Sequence, residues 1–127
     1  MKFMSMVKSN ENVKAYPPPE LMEAMGKLIE KSRKDGTLVI TGGLAPTATA
    51  ARVRLENGQV RVLDGPYSEA KEVVGGFAIL NLGSREEALQ AAKNFLELHR
   101  KHWPGWEGEC EIRQMFGPDD FDPSVQG

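Results

Sequence analysis

The chain has 127 residues, 40% of them hydrophobic and 27% charged, with a formal net charge of -2. That is the composition of one globular domain with enough apolar surface for its own core. The near-neutral balance offers no clustered basic face for nucleic acid, and a single cysteine, Cys110, excludes an intramolecular disulfide.

No long apolar run follows Met1, so neither a signal peptide nor a membrane span is predicted, and the expectation is a cytoplasmic protein. Lys2 to Lys8 reads as a first strand, with Phe3 and Val7 on one side and Met4 and Met6 on the other. A sheet apolar on both faces needs two covers. Asn10 to Pro19 is a loop ending in three prolines, and Pro19 suits the first turn of a helix. That helix runs from about Pro19 to Lys34 on a stripe of Leu21, Met25 and Leu28, and Gly36 suits its C-terminal end.

Thr37 to Thr41 is a second strand, followed by a turn-rich break at Gly42-Gly43-Leu44-Ala45-Pro46. Arg52-Val53-Arg54-Leu55 and Gln59-Val60-Arg61-Val62 form a hairpin through Asn57-Gly58, the strongest short hairpin signal. Arginine alternates with valine or leucine along it, which predicts one solvated face. Phe77 to Leu82 is nearly continuous apolar and reads as a central strand. Ser84 with Glu87 forms a capping box for a second helix reaching about His102, whose apolar face holds Ala88, Ala92, Phe95, Leu96 and His99. Glu109 to Phe116 is the last strand. Residues 1–116 make the domain, and the acidic, proline-bearing segment 117–127 reads as a loose tail.

The order β-α-β-(ββ)-β-α-β predicts an α+β fold: a ferredoxin-like antiparallel sheet with an extra hairpin and two helices on one face. Apolar groups on the uncovered face predict burial by a second copy, a homodimer.

The densest chemistry lies between the hairpin and the central strand, in Asp64-Gly65-Pro66-Tyr67 and the residues to Phe77. Asp64 can act as a general base or orient a substrate, or its carboxylate can accept N–H groups of its own turn. Tyr67 can offer a hydroxyl to a ligand or fill a pocket with its ring. Lys71 and Glu72 supply charge suited to a small acidic or aromatic ligand, or form surface ion pairs. Gly76 allows close approach of backbone to a ligand. His99 reads as a hydrogen-bonded core histidine. His99, His102 and Cys110 lack zinc-ligand spacing, so no metal or other cofactor is expected. Cys110 lies on the apolar side of its strand and reads as an inert thiol.

Asp64-Gly65-Pro66-Tyr67, with Glu69, Lys71-Glu72 and Gly75-Gly76-Phe77, resembles the signature of the DGPF group of YCII-related proteins. Lys2-Phe3-Met4, Gly42-Gly43-Leu44 and Pro46-Thr47-Ala48-Thr49 stand in the family's order, so the resemblance spans roughly Met1 to Phe116. Tyr67 replaces the usual Phe, and Ala70 stands where Thr is common. The resemblance implies a dimeric α+β barrel formed by two sheets face to face. Related barrels include small-molecule enzymes, and some related domains occur beside sigma-factor-like proteins, which implies either catalysis or a regulatory interaction. The wider superfamily's His–Asp pair has no counterpart in the first strand or the loop after it, because the two histidines are His99 and His102.

Overall fold

The computed structural model of the protein describes residues 1–11 and 16–121. In chain order the elements are β1 (Lys2–Ser9), α1 (Pro19–Lys34), β2 (Leu38–Gly43), β3 (Ala51–Glu56), β4 (Gln59–Asp64), β5 (Val73–Asn81), α2 (Arg85–His102) and β6 (Glu109–Met115). Short 3-10 turns occur at Thr47–Thr49 and Pro118–Phe121.

The four-stranded sheet has the order β2-β5-β1-β6, and β3-β4 is a separate two-stranded sheet. Every neighbouring pair is antiparallel. This is the ferredoxin-like arrangement that the element order predicts, with the hairpin inserted between β2 and β5.

Local chemistry accounts for the ends of the helices. Pro19 occupies the first turn of α1, and Gly36, at φ 81°, takes the left-handed position just beyond it. At α2 the Ser84 hydroxyl accepts from the Glu87 N–H at 3.2 Å. The Glu87 carboxylate reaches one residue further back than a capping box requires, to the Gly83 N–H at 2.6 Å. Asn57 and Gly58, at φ 51° and 75°, make the tight hairpin turn that Asn-Gly predicts.

One face of the sheet is closed. Phe3 and Ser5 alternate into it, and with Leu21 of α1 and Ala88 of α2 they are buried. On the other face the register sets Met4 beside Ile79 and Met6 beside Phe77, with Ile40 across from Ile79. These side chains form an apolar surface that no helix among the described residues covers; Met4, Met6, Phe77 and Ile79 are half-buried and Ile40 is 50% exposed.

Three expectations are corrected. Gly42-Gly43 is not a break: β2 continues through it, pairing Gly42 with Phe77 and Gly43 with Gly76. The Phe77 ring lies against Gly42, where a Cβ would sit 3.3 Å from it, so the missing side chain makes room for the ring. β5 starts at Val73, before the two glycines, with a register shift at Val7/Lys8 of its partner. The hairpin has two exposed faces, not one: Val53, Leu55, Val60 and Val62 are 69%, 72%, 70% and 66% exposed.

The expected tail from residue 122 on, and residues 12–15 of the first loop, lie outside the described residues. Among the described residues no helix is long and apolar enough to cross a membrane.

Candidate functional site

The Asp64–Tyr67 segment starts where the hairpin ladder ends, at the Ala51–Asp64 pair. The Gly65 N–H donates to Ala50 O at 2.8 Å, and the Gly65–Pro66 peptide is cis. Gly65 is pressed onto the Thr47–Thr49 turn. A Cβ there would overlap the Thr47 carbonyl oxygen and stand 2.8 Å from its carbon. This close approach requires glycine at the position.

Tyr67 is the anchor of the loop. It is 9% exposed, its hydroxyl donates to Leu63 O at 3.1 Å, and its N–H donates to Thr47 Oγ1 at 3.4 Å. The Arg52 guanidinium lies 3.6 Å from the ring centroid, a cation–π contact, and also bonds Glu69 at 2.8 Å. The far side of Thr47 is held by Glu11, whose carboxylate accepts from the Thr47 N–H at 3.0 Å and from its hydroxyl. Those bonds, the hydroxyl's first, hold the Glu11 carboxyl below its usual range.

Asp64 and Lys71 stand apart from this framework. Both are exposed, and neither side chain has a hydrogen bond or ion pair among the described residues. The loop is held by Gly65, Tyr67, Thr47 and Glu11, and the Asp64 carboxylate accepts none of its amides.

Glu72 belongs to a second group at the end of the open sheet face. Lys8 of β1 pairs with Glu111 at 2.7 Å, and β1 runs between the start of β5 and the start of β6. Glu72 and Glu109 meet across it. Hydrogen bonding to Glu109, then burial, pushes the Glu72 carboxyl above its usual range, while Lys8 works against the rise. Gly76 lies inside β5 between Val7 and Gly43, and its backbone forms part of the sheet.

The candidate stretch is therefore distributed over several environments. Tyr67 is packed inward, Asp64 and Lys71 reach solvent, Glu72 joins an acidic pair, and Gly76 sits in the sheet. Sequence reading missed Thr47, Glu11 and Arg52 as supports of the loop. Glu11 and Thr47 are 36 residues apart, so no local pattern links them. Nor did it associate Glu72 with Glu109 and Lys8, which only the sheet order β5-β1-β6 brings together.

His99 is 6% exposed, and its Nδ1–H donates to Phe95 O at 3.0 Å. Its ring packs 4.7 Å from Phe95 and 4.5 Å from Trp106, centroid to centroid. Cys110 is partly buried, and that burial pushes its thiol up. Among the described residues no group of three His, Cys, Asp or Glu side chains is placed to hold a metal ion.

Residues 1–95 match the YCII-related domain family. A curated relative, an uncharacterised protein of Rhizobium meliloti (strain 1021), is 34% identical over 74 residues. The aligned part covers 58% of this chain, and the chain spans about 60% of that relative's length.

Proposed function

The chain belongs to the YCII-related domain family, and we propose that it is a cytoplasmic homodimer that binds a small acidic or aromatic molecule beside the Asp64–Tyr67 loop. Asp64 is the proton acceptor or substrate orienter. Lys71 and Glu72 place the ligand's polar groups, and the Tyr67 ring and the Gly76 backbone form the wall behind them. The dimer covers the open sheet face of each copy and converts the exposed loop into the wall of a cleft.

One observation carries this reading: the Asp64 carboxylate is exposed and unpartnered on a loop that other residues hold in place. A carboxylate needed only for the turn would accept the turn's N–H groups. A free carboxylate at a fixed position is what proton transfer to a bound ligand needs.

The test is titration with 4-nitrophenol and with benzoate, followed by ligand-observed NMR. Asp64→Asn weakens binding of the phenol, whose hydroxyl then meets a neutral amide in place of a carboxylate, and Lys71→Ala loses the benzoate. Unchanged binding of both ligands to both variants overturns the assignment. A second reading, a non-catalytic interaction module, is favoured by the exposed apolar face of the hairpin. It predicts saturable binding without turnover and full tolerance of Asp64→Asn.

A further inference from the structure

The β3–β4 hairpin presents a feature that ligand binding does not explain. Val53 pairs with Val62 and Leu55 with Val60, so four side chains form one continuous apolar patch, each between 66% and 72% exposed. The hairpin shares no ladder with the four-stranded sheet. An isolated two-stranded hairpin is marginal in water, and an apolar patch on it points to a covering surface.

We propose that this hairpin is an arm that clasps a second copy of the chain. Its apolar patch lies against the rim of the partner's open sheet face, and Arg54 or Arg61 enters the acidic group formed by the partner's Glu72 and the partner's Glu109. The site described above is then completed by a side chain from the other copy. The inference rests on the homodimer of the proposed function and adds how the two copies hold one another and what the second contributes.

Two arguments select a second copy as the occupant. Each chain has one exposed apolar ribbon and one apolar sheet face carrying the half-buried Met4, Met6, Phe77 and Ile79 beside the exposed Ile40. A two-fold axis can satisfy both surfaces of both chains in one closed assembly. Charge agrees with this pairing. At the hairpin, Arg54 and Arg61 share the single carboxylate of Glu56, each at 3.6 Å, which leaves one positive charge uncompensated. At the sheet end, three carboxyls, Glu72, Glu109 and Glu111, face two cations, Lys8 and Arg113, so acidic groups outnumber basic ones. Arginine is long enough to pass around the edge of the ribbon while its stem stays on apolar surface. Complementary charge of this kind sets register and partner choice.

The experiment is sedimentation velocity of the full chain at micromolar concentration, comparing the wild type with the double variant Val53→Asp/Val62→Asp. The expected result is a wild-type dimer and a monomeric variant with an unchanged far-ultraviolet circular dichroism spectrum. A variant that stays dimeric overturns the arm and leaves the homodimer standing. A monomeric wild type overturns both. If the double variant does not fold, oxidative cross-linking in a Cys110→Ser background decides the question. Mixing Arg54→Cys or Arg61→Cys chains with Glu72→Cys chains should yield a disulfide-linked pair in one of the two mixtures, and its absence from both overturns the arm. None of these outcomes depends on the phenol and benzoate titrations, so failure of the ligand reading is seen separately.

Discussion

Replacing Gly65 with alanine tests the architecture of the loop, because two physical effects predict opposite signs. If Gly65 only lends flexibility, Gly65→Ala reduces the freedom of the unfolded chain and stabilises the protein by about 0.4–1 kcal/mol. The packing predicts the reverse. The new methyl would overlap the Thr47 carbonyl oxygen, lie 2.8 Å from its carbon and 3.3 Å from Ala50 O, all of them backbone atoms. Relieving that overlap costs about 1–3 kcal/mol. Moving the turn away also stretches the Gly65 N–H bond to Ala50 O and the Tyr67 N–H bond to Thr47, each contributing about 0.5–1.5 kcal/mol. The sum is a loss of about 2–6 kcal/mol, which for a chain of this length lowers the melting temperature by about 8–24 °C. Gly26→Ala is the matched control. It lies in the interior of α1, where a Cβ meets nothing within 4 Å, so the same substitution should stabilise by about 0.5–1 kcal/mol. Differential scanning calorimetry reads both. A Gly65→Ala protein that melts at or above the wild-type temperature refutes the packing account.

Tyr67→Phe keeps the ring beneath Arg52 and removes the hydroxyl bond to Leu63 O, so it should cost about 1 kcal/mol, whereas Tyr67→Ala should cost about 3–5 kcal/mol; urea denaturation separates the two. Gly108→Ala would bring a methyl into overlap with the Trp106 ring and to 2.7 Å from Lys8 O, and a loss of about 1–3 kcal/mol with shifted tryptophan emission is expected. The Glu11 carboxyl is depressed in the folded state, so its contribution is present above the ordinary carboxylate value and lost as pH falls through the folded one. Glu11→Gln should therefore flatten the acid limb of the melting temperature against pH, and an unchanged limb contradicts the Glu11–Thr47 contact. The Lys8–Glu111 pair has two limits. Glu111 is depressed by Lys8, so stability is lost as pH falls through its folded value; Lys8 is raised by Glu111, so stability is lost as pH rises through its own. Lys8→Met should remove both limits, read in the same pH series.

The helices and hairpin were legible because their signals are local: Pro19 and Gly36 bound one helix, Ser84 opens the other, and Asn57-Gly58 turns the ribbon. Gly42-Gly43 and Gly75-Gly76 misled because glycine marks turns when read alone, yet all four lie within β2 and β5, where Gly42 pairs with Phe77 and Gly43 with Gly76. The missing side chain of Gly42 makes room for the Phe77 ring, a reason found only in the partner strand. In the candidate site, the turn at Gly65-Pro66 was legible, but the supports of the loop were not. Glu11, Thr47 and Arg52 reach it from three separate parts of the chain. The exposure of the hairpin's apolar face was equally illegible, since alternation tells which residues share a face and not whether anything covers it.

The Asp64 carboxylate stands on a framework to which it contributes no bond among the described residues. The melting temperature of Asp64→Asn tests this most directly. A change within about 0.5 kcal/mol, or about 2 °C, is expected, as for an exposed side chain with no partner among the described residues. A fall of about 10 °C or more would show that the carboxylate holds the turn, and Asp64 would then be a structural residue.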